Sequence, residues 1–215
     1  MPYSGGLKRN IVQCLDDFDI PLYFNTTISG IEGKERVEGC TLSQVDENMK
    51  VIPGTEKHYD CDTILLSVGL LPENELTKEA GIEIDPKTKG AIVSDRLMTN
   101  IPGVFACGNV LHVHDLVDYV TEESELAATS AAAYIEEKFK ESQTEPIYLK
   151  AGDGISYTLP QYINPDTMAD TAIVRFRVNN VYQNRILKMF VDGKEVAKKR
   201  KLVYAPGEME NLILK

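Results

Sequence analysis

Two histidines separated by a single residue, His112 and His114, form the most chemically versatile short motif in this chain of 215 residues. Side chains two positions apart lie on the same side of an extended backbone, so both rings are expected to face one site. Imidazole titrates near neutral pH and binds transition metals, so the pair is a weak candidate for catalytic proton donation or for metal ligation. Only Asp115 and Asp118 are close in sequence as further ligands, and we expect no metal site. A role beside a bound molecule and a structural role in the loop both stay open.

Two short apolar segments that end in glycine could deliver backbone to a ligand. They are CDTILLSVGLLPENEL at residues 61–76 and TNIPGVFACGNV at residues 99–110. Their aliphatic and β-branched residues predict buried parallel strands, from Asp62 to Val68 and from Val104 to Cys107, with small residues where the chain must approach a ligand closely. In the second segment the side chains shrink toward Gly108 and the short polar Asn109, at the strand end where open α/β sheets bind ligands. Such an end suits the ribityl and phosphate groups of a flavin dinucleotide.

The spacing of these segments resembles the two later FAD-contacting segments of the pyridine nucleotide-disulfide oxidoreductases, flavoproteins with paired FAD and NAD(P)H domains. Over residues 2–140 the chain is similar to bacterial proteins described as FAD-dependent or NAD(P)/FAD-dependent oxidoreductases, and the HVHD loop at residues 112–115 makes the likeness specific. The resemblance implies FAD and NAD(P)H as cofactors, with flavin contacts at Gly69, Gly108 and Asn109. Family members usually have Gly-Asp in the second segment, so Asn109 keeps the hydrogen-bonding shape and loses the charge.

A helix is predicted to begin at Thr121, which can cap it, and to run toward Phe139. The free N–H groups and the positive dipole end of a helix favour negative charge on the N1 and C2 oxygen edge of a reduced flavin. The resemblance implies that this helix end points at that edge, so the backbone of Val120 and Thr121 is a candidate flavin contact. Glu122 and Glu123 are interpreted as ordinary first-turn acids that stabilise the helix. The two histidines of the preceding loop would then lie on the flavin or substrate side.

A glycine-rich turn of the G-x-G-x-x-G type, which binds a dinucleotide pyrophosphate, is absent from the 215 residues. The SGG at residues 4–6 has no strand before it, and GDG at residues 152–154 is followed by Tyr157 where the third glycine would stand. We therefore expect the carboxyl-terminal portion of a larger flavoenzyme, beginning inside its NAD(P)H domain. Alone, this portion is expected to hold neither dinucleotide well and to be inactive.

Composition is that of an ordinary cytoplasmic protein, with 43% hydrophobic and 26% charged residues. The formal net charge of −10 disfavours nucleic acid and anionic membranes as partners, because both are polyanions. No apolar run approaches the ~20 residues of a membrane span, and the start is unlike a signal peptide. The four cysteines form no C-x-x-C pair, so we interpret them as buried or incidental thiols in a reducing compartment. They are Cys14, Cys40, Cys61 and Cys107.

The expected fold mixes α+β and α/β elements and falls into three parts. Residues 1–58 resemble the end of an NAD(P)H domain and its return segment, with a helix from Leu7 to Phe18. Residues 59–142 resemble the carboxyl-terminal part of an FAD domain, so the two parts represent a partial flavoprotein fold with two dinucleotide-binding domains. Residues 145–215 alternate with period two and predict a small antiparallel β domain, sandwich-like, with Asp192-Gly193 at the tip of a hairpin. The predicted strands are Pro21 to Phe24, Thr27 to Glu32, Val37 to Val45, Ile147 to Lys150, Ser156 to Leu159, Thr171 to Val178, Arg185 to Val191, Glu195 to Leu202 and Asn211 to Leu214.

The basic run from Lys198 to Lys201 stands out in the acidic chain. A charged strand edge that discourages aggregation explains it, and docking of an acidic partner, a second redox protein or another subunit, is the alternative. The function favoured by these observations is electron transfer between NAD(P)H and a second acceptor or donor through flavin. The competing hypothesis is a non-catalytic module whose β domain recruits a partner. A third is a pseudo-enzyme that keeps the fold without flavin.

Overall fold

The structure, a computed structural model, describes residues 8–139 and 142–214. Its contacts divide the chain into two compact units, separated in sequence between Gly69 and Leu70. The first unit begins with helix α1 (Lys8–Cys14) and a 3₁₀ turn (Asp16–Phe18), in place of one helix from Leu7 to Phe18. Leu7 itself lies outside the described residues.

Three antiparallel strands form the sheet of the first unit. They are β1 (Thr26–Glu32), β2 (Gly39–Gln44) and β3 (Lys57–Asp60), and they pair in that order. The first two confirm the strands predicted on either side of the turn at residues 33–36. The segment predicted as a strand from Pro21 to Phe24 is irregular instead.

The prediction of a buried strand from Asp62 to Val68 is wrong. The segment is irregular, and the apolar residues Leu65, Leu66 and Val68 are 90%, 72% and 76% exposed. A β-strand exists through its pairing, and no strand of the described chain hydrogen-bonds to this segment. Apolar sequence without a neighbouring strand therefore does not produce one.

The second glycine-ended segment also lacks the strand predicted from Val104 to Cys107. A single antiparallel bridge joins Met98 and Phe105 there. The chain then forms a 3₁₀ turn at Gly108–Val110, where Gly108 has a φ of 75°, a left-handed conformation that glycine adopts without strain. A tight turn, rather than a strand end, therefore presents the residues predicted to bind a ligand.

The short helix α2 (Glu75–Glu79) begins after Asn74, but the Asn74 side chain does not cap it. Its Nδ2 donates hydrogen bonds to the carbonyl oxygens of Lys89 (3.0 Å) and Val110 (2.7 Å), and the residue is buried. Asn74 thus ties the 3₁₀ turn to a neighbouring loop of the second unit.

The long helix α3 (Val117–Ile135) begins at Val117 and not at Thr121. Leu116 precedes it in an extended conformation, with φ −134° and ψ 144°. The Thr121 hydroxyl donates to the carbonyl oxygen of Val117 at 3.2 Å, inside the helix, so the prediction that Thr121 caps the helix is wrong. Among residues 8–139 and 142–214, no helix combines the length and apolar character that crossing a membrane requires.

The core of the second unit joins α3 to the carboxyl-terminal strands. Ala127 of α3 packs in the same buried cluster as Leu159, which is 1% exposed. Residues from the predicted FAD part and from the predicted β domain therefore pack together in this chain. The assignment of residues 1–58, 59–142 and 145–215 to the domains of a parent protein stays a prediction. The cluster consists of Ile82, Ala91, Val93, Leu97, Leu111, Ala127 and Leu159.

Antiparallel strands dominate the rest of the second unit, as predicted. They are β4 (Ile147–Tyr148), β5 (Ile155–Leu159), β6 (Tyr162–Ile163), β7 (Ala172–Val178), β8 (Tyr182–Val191), β9 (Lys194–Tyr204) and β10 (Glu210–Leu214). One sheet has the order β10-β7-β5, and β4-β6 and β8-β9 form two-stranded sheets. Each strand predicted in this region is present, and β6 was missed because two residues carry no periodicity.

The hairpin of β8 and β9 turns at Asp192 and Gly193, whose φ angles are 49° and 78°. Two positive φ angles are what a type I′ turn requires, so the predicted hairpin tip is confirmed. The hairpin and the three-stranded sheet contribute to a second buried cluster, and a sandwich of the immunoglobulin type stays a prediction. This cluster consists of Phe176, Val178, Tyr204 and Leu212.

Candidate functional site

A buried carboxylate, that of Glu123 in α3, organises the loop that follows Gly108. The side chain of Glu123 is 0% exposed. Its Oε2 accepts the backbone N–H of Gly108 at 2.7 Å, and its Oε1 lies 3.3 Å from Nε2 of His112. The interpretation of Glu123 as an ordinary first-turn acid is wrong, because the helix starts earlier than predicted and the carboxylate bonds to a loop.

His112 is held between α3 and β5. Its Nδ1 lies 3.2 Å from the hydroxyl of Tyr157, and that hydroxyl oxygen accepts the Nε–H of Arg177 at 3.2 Å. Because the carboxylate of Glu123 can only accept a hydrogen bond, we assign the His112 proton to Nε2, which leaves Nδ1 to accept the proton of the Tyr157 hydroxyl. His112 is then a neutral ring that donates to the carboxylate of Glu123.

His114 lies beside His112 with ring centroids 4.4 Å apart, so the two rings face one site, as the sequence predicts. Asn109 Oδ1 accepts the backbone N–H of His114 at 3.1 Å and lies 3.3 Å from its Nδ1. The backbone bond identifies this Asn109 atom as oxygen, so Nδ1 carries a proton. Nε2 of His114 lies 3.4 Å from Oε2 of Glu123, is buried, and is not aligned for a hydrogen bond with any described residue.

Two arginines of β7 approach the same loop. Arg175, whose side chain is 5% exposed, places Nη1 3.7 Å from Oε1 of Glu123 and donates through Nη2 to Glu122 at 3.2 Å. Arg177 donates to Asp115 at 2.5 Å in addition to Tyr157. Ion pairs therefore join the histidine loop and α3 to the antiparallel sheet.

The charge states of the cluster follow from its burial and its contacts. Burial by itself would raise the pKa of Glu123, but the contacts of the carboxylate with His112 and His114 outweigh burial and lower that pKa to about 2. Burial lowers the pKa of His112, and the neighbouring Glu123 opposes the lowering. An anionic Glu123 beside a neutral His112 is the state that the site favours at neutral pH.

The structure brings most of the predicted site residues together. Gly108, Asn109, His112 and His114 surround one carboxylate, and a Cβ added to Gly108 would lie 3.4 Å from Cγ1 of Val120. These residues therefore lie close enough to act at one site.

Two predicted residues lie elsewhere. Gly69 is exposed and belongs to the first unit, and Thr121 is exposed on α3. The flavin contacts assigned to these residues, and to the grouped ones, stay predictions.

Sequence reasoning missed the buried position of Glu123 and the contributions of Tyr157, Arg175 and Arg177. One signal was available for the arginines, because they are the only polar residues in the β7 sequence AIVRFRV and their spacing of two places them on one face. Nothing local marks Tyr157, which lies 45 residues from His112 in sequence.

Comparison with known proteins places the chain in a family. The family model described as pyridine nucleotide-disulphide oxidoreductase matches residues 6–133, more than half of the chain. The chain belongs to this family, which confirms the resemblance predicted from the glycine-ended segments. The members of the family are oxidoreductases that use FAD and NAD(P)H, the two cofactors that the sequence predicted.

Individual relatives share the region that the family model matches. Thioredoxin reductase of Listeria monocytogenes is 33% identical over 130 residues, which cover 59% of this chain and 37% of the relative. NADH oxidase of Methanocaldococcus jannaschii is 30% identical over 120 residues, covering 55% and 23%. Mitochondrial dihydrolipoyl dehydrogenase of Caenorhabditis elegans is 27% identical over 133 residues, covering 61% and 26%. The chain spans less than half of the length of each relative.

Proposed function

We propose that this chain is part of an FAD-dependent oxidoreductase that transfers electrons between NAD(P)H and a second acceptor or donor. The observation that carries the proposal is the family match over residues 6–133, which includes the 3₁₀ turn at Gly108–Val110 and the start of α3. The matched relatives have different names and activities, so the proposal stops at the class of reaction.

The turn after Gly108 offers groups that fit the ribityl part of FAD. Asn109 is exposed and uses its Oδ1 for His114. Its Nδ2 has no hydrogen-bond partner among the described residues, and a ribityl hydroxyl can accept a bond from such an amide. The N–H of Gly108 is taken by Glu123, so Gly108 would contribute close approach at its bare Cα. A flavin contact at Gly69 is proposed from the family resemblance alone; Gly69 is exposed, and nothing lies within 4 Å of the position of a Cβ there.

The amino terminus of α3 offers donors to the N1 and C2 oxygen edge of a flavin. In a helix that begins at Val117, the N–H groups of Val120 and Thr121 meet carbonyl oxygens of the preceding turn. The N–H groups of Val117 and Asp118 precede the first intrahelical bonds, and we propose these as the donors. The positive end of the helix dipole would add to their effect.

FAD, when bound, supplies N5 as the hydride acceptor and passes the electrons on. The residues of this chain would orient the ribityl chain through Asn109 and stabilise charge at the α3 terminus. Leu116 and Val117, which are 42% and 74% exposed, would exclude water from that end of the flavin.

We also infer that the 215 residues alone do not catalyse this reaction. They contain no G-x-G-x-x-G turn, and the family binds each pyrophosphate through such a turn. The four cysteines form no C-x-x-C pair in the sequence, which supports a reducing compartment such as the cytoplasm.

The test of this proposal is flavin retention. The chain and the longer protein that contains it are mixed with excess FAD, freed of unbound ligand, and compared by visible flavin absorbance. Retention by the longer protein supports the proposal, and Asn109→Leu is expected to weaken FAD binding about tenfold, the value of one hydrogen bond. Asn109→Asp, the matched control, is expected to bind FAD with the affinity of the unaltered protein. Absence of flavin from the longer protein would contradict the proposal.

A second candidate function is docking of an acidic partner through a sandwich-like β domain. The exposed side chains on one face of the β8–β9 hairpin favour it. Ile186, Phe190 and Leu202 are 52%, 54% and 74% exposed on this hairpin. Arg200 pairs in register with Ile186, and Lys198 lies two residues away. Exposed apolar side chains interspersed with cations fit a partner whose surface is apolar and negatively charged, such as a second redox protein or subunit.

The docking proposal predicts a charge-dependent complex. Arg200→Glu in the longer protein is expected to weaken binding of an acidic redox partner at least about tenfold, and binding should fall with added salt. Lys87→Glu, at an exposed position in a different loop, is the matched control and should leave the complex intact. Equal effects of the two variants would contradict docking at the hairpin.

A further inference from the structure

We propose that His112, His114 and Glu123 form a binding site for a divalent transition-metal ion, and that Zn²⁺ is the ion they match best. One ligand atom from each of the three side chains lies within 4.8 Å of the others. Imidazole nitrogens with a carboxylate oxygen are a ligand set that zinc accepts. The inference does not rest on flavin binding, because none of the three ligands is proposed to contact the flavin.

Two nitrogen–oxygen distances in the cluster match the edges of a tetrahedral zinc site. Zinc bonds to nitrogen and oxygen of about 2.0–2.1 Å place the ligand atoms of a tetrahedron about 3.3–3.4 Å apart. Nε2 of His112 lies 3.3 Å from Oε1 of Glu123, and Nε2 of His114 lies 3.4 Å from Oε2. The three ligand atoms lie within 4.8 Å of one another, so the side chains would move toward an ion to bring every pair to a tetrahedral edge.

His114 supplies an independent indication of a missing cation. Its Nδ1 faces Asn109 Oδ1, which turns Nε2 toward Glu123. That nitrogen is buried on a side chain that is 1% exposed, and it has no hydrogen-bond partner among the described residues. A buried polar atom without a partner is unfavourable, and a metal ion between this nitrogen and the carboxylate would bond to both.

Contacts with neighbouring residues orient all three ligand side chains. Tyr157 lies 3.2 Å from Nδ1 of His112, and Asn109 Oδ1 lies 3.3 Å from Nδ1 of His114, so each ring would present Nε2 to the ion. The N–H of Gly108 fixes the carboxylate of Glu123 at 2.7 Å. Such contacts at the far nitrogen of a ligating histidine are typical of metal sites.

Binding requires a change of proton position on one ring. His112 would release the proton from Nε2 and carry one on Nδ1, where the Tyr157 oxygen can accept it. Arg175 is a nearby cation, 3.7 Å from Oε1 of Glu123, and it is also held at 3.2 Å by the exposed Glu122. Its positive charge is therefore shared with an acid outside the cluster.

The experiment is a metal titration of the full chain. After treatment with a chelator and its removal, the protein is titrated with Co²⁺, a spectroscopic substitute for Zn²⁺, and Zn²⁺ is measured by competition and elemental analysis. We expect one ion per chain and the absorption of tetrahedral Co²⁺. His112→Ala and His114→Ala should each weaken binding by at least about 100-fold, more than the loss of a contact beyond the ligands.

Two further variants keep the outcome decisive. Tyr157→Phe removes a hydroxyl but no ligand, and it should weaken binding about 10- to 100-fold even if the histidine variants fold poorly. His58→Ala is the matched control, since His58 is half-exposed and lies beside Glu32 and Asp60. No stoichiometric binding by the unaltered chain would overturn the proposal. So would binding that His58→Ala abolishes while His112→Ala and His114→Ala retain it.

Discussion

Replacing Glu123 with glutamine tests whether one buried carboxylate holds the histidine loop to α3. The side chain is 0% exposed and has a donor or cation against both oxygens: the Gly108 N–H at Oε2, and the His112 ring and Arg175 at Oε1. Glutamine has nearly the same volume but presents an NH2 group to one set of these donors. It also leaves Arg175, 5% exposed, without its buried counter-charge.

The expected loss is large. Removing one partner of a buried charge pair costs about 3–5 kcal/mol, because the buried groups that faced the carboxylate lose the charge that balanced them. With an m-value of about 2 kcal/mol/M, the urea midpoint of the second unit should fall by about 1.5–2.5 M. A domain of ordinary stability, about 5–15 kcal/mol, would lose a substantial part of its margin.

The assay is urea unfolding followed by far-UV circular dichroism and tyrosine fluorescence, since the chain has 10 tyrosines and no tryptophan. A chelator is included so that metal binding does not contribute to the result. Glu125→Gln, an exposed position of the same helix, is the control and should change stability by less than about 0.5 kcal/mol. If Glu123→Gln loses less than about 1 kcal/mol at an unchanged m-value, the carboxylate does not hold the loop as argued.

Three further predictions concern other parts of the second unit. Burial raises the pKa of Asp95, although the backbone N–H of Asn164 donates to its carboxylate. The pKa of Asp95 is therefore higher in the folded than in the unfolded protein, so the contribution of Asp95 to stability falls as the pH rises from the unfolded pKa to the folded pKa. The urea midpoint of Asp95→Asn should therefore rise relative to that of the wild type between acidic and neutral pH. A difference between the two midpoints that does not change with pH would contradict this. Leu159→Ala should cost about 2–5 kcal/mol in one cooperative transition, whereas Leu202→Ala, at a position 74% exposed, should cost under about 0.5 kcal/mol. Gly193→Val, at a φ of 78°, should weaken amide-exchange protection of β8 and β9 by about 1–2 kcal/mol, and unchanged protection would rule out the proposed turn.

Local sequence was sufficient where local chemistry decides structure. The strands of the carboxyl-terminal region and the tip at Asp192-Gly193 were predictable because alternation has period two and because only certain residues adopt positive φ. The facing rings of His112 and His114 followed from the same period. The family and its cofactors were predicted from the resemblance of the glycine-ended segments and the HVHD loop to a known family, and the family match confirms both.

Helix and strand limits were less predictable where a side chain had two uses. Thr121 is a good capping residue by type, but in the folded chain its hydroxyl bonds to Val117 within α3. The segment from Asp62 to Val68 has the composition of a buried strand, yet it is exposed in this chain because pairing depends on a neighbouring strand and not on composition.

The sequence by itself thus determined most strands of the carboxyl-terminal region, the hairpin turn and the direction of the two histidine rings, all of which depend on residues close in sequence. Only the tertiary structure decided that Glu123 is buried and that Tyr157 and Arg175 complete its surroundings. Those contacts join residues that are 45 and 53 positions apart in the chain, His112 with Tyr157 and Glu122 with Arg175. No local pattern encodes them, because buried polar groups acquire their partners only when separate elements pack together.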